Sequence, residues 1–146
     1  MASVKLDFKG FQETLKKLTD LNADVRGIAT EALQKSFDIV TAKAAAAAIP
    51  ANYPAGGKYS RRTPPNTASS LIRNLEITWT DTEATAPVGF DAKRGGLPSI
   101  FMIRGTPRHE PVQEMYDAFY STQTKGEVLN AQRDVFFKAM EEAMGR

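Results

Sequence analysis

The only histidine in the 146-residue chain, His109, stands between Arg108 and Glu110. A lone imidazole cannot build a two-histidine metal centre, and these neighbours do not complete a ligand set. A nucleophilic triad would have to join His109 to Asp117 as its orienter and to one of several serines, yet no Gly-x-Ser-x-Gly turn is present to expose the nucleophile. A surface-loop histidine is the plainer reading. Gly89 to Gly96 contains three glycines and Lys93, but it lacks the Gly-Lys-Ser/Thr ending and the Gly-x-Gly-x-x-Gly spacing that cradle phosphates, and so reads as a turn. Glu141 and Glu142 are adjacent, and neighbours on a helix point to different sides, which prevents them from working as a carboxylate pair. With no cysteine, disulfides, thiolate zinc sites, iron–sulfur clusters and thiol catalysis are all excluded. The pattern predicts a protein that is not an enzyme, with no catalytic, cofactor-binding or metal-ligating residues.

The chemistry left is binding. Tyr53, Lys58, Tyr59, Arg61 and Arg62 fall within one stretch, residues 50–69, that is rich in proline and glycine and has no apolar periodicity. The basic groups could hold phosphate charge while the rings stack on bases. Tyrosine and arginine are also enriched at protein interfaces, and a flexible loop can order on docking, so a protein partner is the favoured reading. A loop with no partner at all competes with the nucleic-acid version.

Charge sharpens this without deciding it. Nineteen basic and 17 acidic residues leave a net +2, too mild to mark a nucleic-acid or membrane-surface protein. Residues 1–55 carry +1, residues 56–108 carry +4 and residues 109–146 carry −3. A basic middle and an acidic end on one small domain suit head-to-tail contact between subunits, although a solvated surface of mixed sign is the plainer alternative. No apolar run approaches the roughly 18 residues a membrane span requires, and the first residues lack a signal-peptide core. The chain therefore reads as soluble, not exported by the usual route, and of a size for one domain over residues 1–146 with a flexible loop at 50–69.

The elements that must position these residues follow from periodicity. Val4, Leu6 and Phe8 alternate with Lys5 and Asp7 as in a half-buried strand, and Phe11, Leu15 and Leu18 then recur at helical spacing. Asp24 suits the N-cap of a long helix with a stripe of Val25, Ile28, Ala32, Ser36, Val40, Ala44 and Ala47, widened by Leu33, Phe37 and Ile39 and stopped by Pro50. A helical turn within 67–74 precedes an alternating strand of Leu75, Ile77 and Trp79, which the turn Asp81-Thr82-Glu83 joins to a second strand, Ala84 to Phe90, as a hairpin. The apolar run Ile100 to Ile103 fits a central strand ended by Gly105-Thr106-Pro107. Pro111 suits the first turn of a helix with Val112, Met115, Tyr116 and Phe119 on one side. Thr124 and Glu127 have the spacing of a capping box for a C-terminal amphipathic helix through Val128, Gln132, Val135, Phe136, Ala139, Met140 and Ala143. The order predicts an α+β fold, with a mostly antiparallel sheet packed on one face by the long α-helix and further helices.

Several strings in this order resemble the tail-completion or head-to-tail joining (neck) proteins of lambda-like long-tailed bacteriophages. They are Phe8-Lys9-Gly10-Phe11 with Leu15 and Leu18, Ala47-Ala48-Ile49-Pro50, Ala68-Ser69-Ser70-Leu71-Ile72-Arg73, Val88-Gly89-Phe90, and Ile100-Phe101-Met102-Ile103-Arg104-Gly105-Thr106-Pro107, over residues 8–120. The Gly105-Thr106 turn followed by Pro111 and a helix is the most specific part. The chain departs from the pattern in its expanded basic link and at Arg104, where the family often has an acidic residue. The resemblance implies a non-enzymatic virion protein, made in the host cytoplasm, that joins head to tail as a homo-hexameric ring. Its implied partners are other copies of itself, a head-closure or connector protein, and a tail-terminator or tail-tube protein, with DNA passing through. The alternative is a small nucleic-acid-binding module using Lys58, Arg61, Arg62, Lys93 and Arg94.

Overall fold

The structure, a computed structural model, describes residues 3–8, 12–20, 24–49, 52, 66–80, 83–107 and 110–145. Strand β1, Ser3–Asp7, turns Val4 and Leu6 inward and leaves Ser3, Lys5 and Asp7 in water. It pairs antiparallel with β3, Glu83–Pro87, which pairs on its other side with the two-residue β2, Thr78–Trp79. The register sets Val4 opposite Ala86 and Leu6 opposite Ala84, so large side chains on the edge strand face small ones at the centre. Small residues on β3 leave room for a helix to lie close over the sheet.

That helix is α2, Val25–Ala47, packed on β1 and β3. Asp24 caps it as expected, its Oδ1 accepting the Gly27 N–H at 3.0 Å. The buried stripe is Ala29, Ala32, Leu33, Ser36, Phe37, Val40, Ala44 and Ala47; Val25, Ile28 and Ile39 are only half-buried. The stripe is wide because α2 also packs against α1 (Gln12–Asp20), α4 (Gln113–Tyr120) and α5 (Thr122–Met144). Antiparallel packing of α2 and α5 is marked by two links: Lys43 pairs with Glu127 at 2.8 Å, and Gln132 donates to Ser36 Oγ at 3.1 Å. The result is α+β, with an antiparallel sheet and helices over it.

Several local expectations change. Residues 100–103 are not a central strand; they belong to α3, Pro98–Arg104. Pro98 at the first turn favours a helix start, and burial falls at Ser99 and Met102, three apart, while Ile100 stays in water. A short apolar run carries no periodicity of its own, so its flanks decide its state. Gly105 ends α3 at φ 75°, and a Cβ there would lie 2.8 Å from Pro111 Cδ, so both conformation and space demand glycine. Pro111 precedes α4 rather than entering it, because Val112 is the N-cap and gives its N–H to Met102 O at 2.6 Å.

The cap of α5 is Ser121, one turn before the expected Thr124–Glu127 box. Its Oγ accepts the Thr124 N–H at 3.1 Å, while Thr124 Oγ1 donates to Asp117 O at 2.8 Å. Ser121 thus closes α4 and opens α5, which leaves Glu127 to Lys43. The second hairpin strand stops at Pro87, and Phe90 forms an isolated bridge with Leu71. The expected turn within 67–74 is the 3-10 turn Ala68–Ser70. Among the described residues, no helix is long and apolar enough to cross a membrane.

Candidate docking surfaces

Tyr53, Lys58, Tyr59, Arg61 and Arg62 lie outside the described residues, as do Arg108 and His109. Asp117, the orienter a triad would need, is half-buried and accepts from Gln113 Nε2 at 2.7 Å. In the Gly89–Gly96 segment the N–H groups turn inward: Lys93 N donates to Asp91 Oδ1 at 2.9 Å, and Arg94 N and Gly96 N donate to Asp91 O at 3.0 and 2.9 Å. Donors already committed to Asp91 cannot cradle a phosphate, so the segment is a turn. Among the described residues, no group of three His, Asp or Glu side chains could hold a metal ion.

What the tertiary structure does assemble is a recess where α3 and α4 meet the Phe90 bridge. It encloses about 240 Å³ and is lined by Phe90, Ile100, Ile103, Phe119 and Tyr120, with Arg104 among its walls. Phe90 and Phe119 meet edge to face at 6.1 Å, a favoured arrangement of ring quadrupoles. Gly89, at φ 108°, lets the chain turn close beneath Phe119, 3.4 Å from where a Cβ would stand. Ile100 in its wall is about half exposed, as is Leu97 at the start of α3, and Tyr120 lies against Tyr116 at a ring distance of 5.3 Å with both partly in water. Arg104 is exposed at the end of α3, Lys93 and Arg94 are exposed on the 3-10 turn Ala92–Arg94, and Arg94 pairs with Asp91 at 3.6 Å. Large apolar groups gathered at a surface mark an interaction site.

A second surface runs along the outer side of α5. Phe136 is buried, and Phe137, one residue on, is 56% exposed; Met144, seven residues further, is 69% exposed. Seven residues are almost two full turns, so Phe137 and Met144 share a face. Asp134 and Glu141, three residues before and four after Phe137, share this region with Arg133 and Lys138, and all four are exposed, so its charge is mixed.

A third surface lies by the hairpin, where the Arg26 guanidinium sits 4.6 Å over the Trp79 ring beside Phe8 and Val25. Here the cation already has its aromatic partner within the chain.

The chemistry-bearing residue types cluster in 50–69, whereas both apolar surfaces lie elsewhere in the chain. A signal for the α5 surface was present: adjacent phenylalanines on one helix diverge by about 100°, so a single buried stripe cannot hold both. The recess has no such signal, because its walls come from separate segments and the run around Ile100 fits a strand as well as a helix. No family model matches the chain, and comparison with the curated proteins and with the solved structures finds no match.

Proposed function

We propose that this chain is a non-enzymatic structural subunit of a long-tailed bacteriophage. Its place is the neck of the virion, joining the connector or head-closure protein to the tail terminator or tail tube as one member of a homo-hexameric ring. Beside the resemblance of its strings to neck proteins, the observation that carries this reading is the pair of exposed apolar surfaces on different parts of the chain, the α3–α4 recess with Arg104 in its wall and the Phe137–Met144 face of α5. A subunit that must bind on two sides needs two different faces, and unlike faces generate rings when the rotation closes. Tyr53, Lys58, Tyr59, Arg61 and Arg62 are assigned to the contact with the neck neighbours.

Deleting the gene from the phage and imaging the lysate tests this. Separate filled heads and free tails, with the tagged chain located at the head–tail junction of complemented particles, is the expected result. Normal joined particles without the chain would remove the reading. DNA binding that falls steeply with salt, and is abolished by alanine at Lys58, Arg61, Arg62, Lys93 and Arg94, would replace it with the nucleic-acid module.

A further inference from the structure

We infer that the α3–α4 recess is a binding site for a small molecule, an aromatic ring with a short arm that ends in a carboxylate. The ring lies among the apolar walls, and the carboxylate meets Arg104. The inference goes beyond the subunit reading and stands without it, since it concerns what fills the recess rather than what meets the surface around it.

An apolar cavity of about 150 Å³ takes up benzene, so about 240 Å³ leaves space for a ring and an arm of a few atoms. Bare backbone forms part of the wall at Gly89 and Gly96. At both positions a Cβ would crowd its surroundings, 3.4 Å from the Phe119 ring and 2.6 Å from Asp91 O. Phe90 and Phe119, edge to face, supply aromatic surface, and Ile100 and Ile103 supply aliphatic surface. Concave sites with mostly apolar walls and a few polar groups to fix orientation are the usual form of a small-molecule pocket.

The polar groups decide the class of ligand. Ser99, Ile100, Ile103 and Arg104 line the recess from two successive turns of α3, so one face of the helix forms this wall. Ser99 is 6% exposed, and its hydroxyl makes no hydrogen bond among the described residues. A buried hydroxyl left in this state gains from a ligand that bonds to it. Among the described residues that line the recess, Arg104 is the one with a formal charge. Arg94 has Asp91 and Arg26 has Trp79, whereas Arg104 has no carboxylate partner among the described residues. A lone guanidinium beside an apolar recess selects an anion, and its planar fork matches a carboxylate. One cation answers one charge, which favours a carboxylate over a phosphate.

Titration of the isotope-labelled chain with 3-phenylpropionate, followed by NMR at the glycine amides, tests this directly. Gly89 and Gly96 line the recess, while Gly126 lies in α5 and Gly145 at its end. Saturable shifts of the first pair, with the second pair unmoved, are expected. No saturable shift, or shifts centred on α5, would overturn the inference. Neutral 3-phenylpropanamide should bind roughly threefold more weakly, the size of an exposed ion pair, and 3-phenylpropylamine more weakly still, with the differences shrinking as salt is added. Equal affinity of the three would remove the carboxylate from the proposal. A peptide ending in phenylalanine that binds where the free acid does not would replace the small molecule with a chain terminus.

Two variants at exposed positions locate the charge. Arg104→Gln should erase the preference for the acid over the amide while leaving the affinity for the amide and the circular dichroism spectrum unchanged; a preference that survives would overturn the role of Arg104. Ile100→Glu, at the half-exposed wall position, should weaken binding of the acid severalfold more than binding of the amide, and equal losses would count against the site. The purified chain is used throughout, so these results are independent of whether the chain is found at a phage neck.

Discussion

Along α2 and α5, Leu33, Phe37, Val135 and Phe136 are buried, and the polar groups between the helices are bonded. Gln132 Nε2 donates both to Ser36 Oγ and, at 2.8 Å, to Lys5 O on strand β1, and Ser36 Oγ donates to Ala32 O at 2.9 Å. On α3 and α4, by contrast, Ile100, Tyr116 and Tyr120 stand partly in water, Ile100 and Tyr120 in the wall of the recess. One region buries its apolar surface in the fold, and the other leaves it partly in water. Substitutions in the two regions should therefore differ in what they cost the fold.

The largest effect is expected within one pair of neighbours. Phe136→Ala should cost about 3–5 kcal/mol of stability, while Phe137→Ala should stay within about 0.5 kcal/mol. Urea denaturation of both variants measures the difference, and equal losses would show that the outer ring is part of the fold. Next comes the polar link. Gln132→Leu leaves the Lys5 carbonyl under α5 without this donor and removes the one given to Ser36, at a cost of about 1–3 kcal/mol. A loss near zero in the same assay would mean that packing alone holds α5 to the sheet.

The smallest effect belongs to the exposed ion pair. The hydrogen bond from Lys43 holds the Glu127 carboxyl below its ordinary range. A carboxyl whose folded value lies below its unfolded value contributes stability above the unfolded value and loses it as pH falls through the folded one. Wild type should therefore lose slightly more stability than Glu127→Gln on acidification below the ordinary carboxylate range. Thermal unfolding followed across that range checks this, and parallel curves would assign the pair no role, as is common at surfaces.

The legibility of the chain followed the same division. The first strand, the Asp24 cap, the α2 stripe and the buried face of α5 could be read because each is a local pattern of period 2 or 3.6 that burial later confirmed. The run Ile100 to Ile103 could not, since an uninterrupted apolar segment fits a strand or a helix equally and only its packing against α4 distinguishes them. The α5 start was displaced by one turn because Thr124 and Glu127 have the right spacing, yet each found a partner from elsewhere: Asp117 O for Thr124, Lys43 for Glu127. The candidate site in residues 53–62 lies outside the described residues, and the surfaces that emerged instead join distant segments.

Fold class, the two long helices and the lack of thiol chemistry are legible from composition and periodicity, which act through neighbours a few residues apart. That Phe136 is core while Phe137 is surface, and that Phe90, Ile100, Phe119 and Tyr120 share one recess, follows from the packing of the whole fold. Those outcomes depend on which helix face meets the sheet and on how segments tens of residues apart are brought together, and neither is encoded in the spacing of any single stretch.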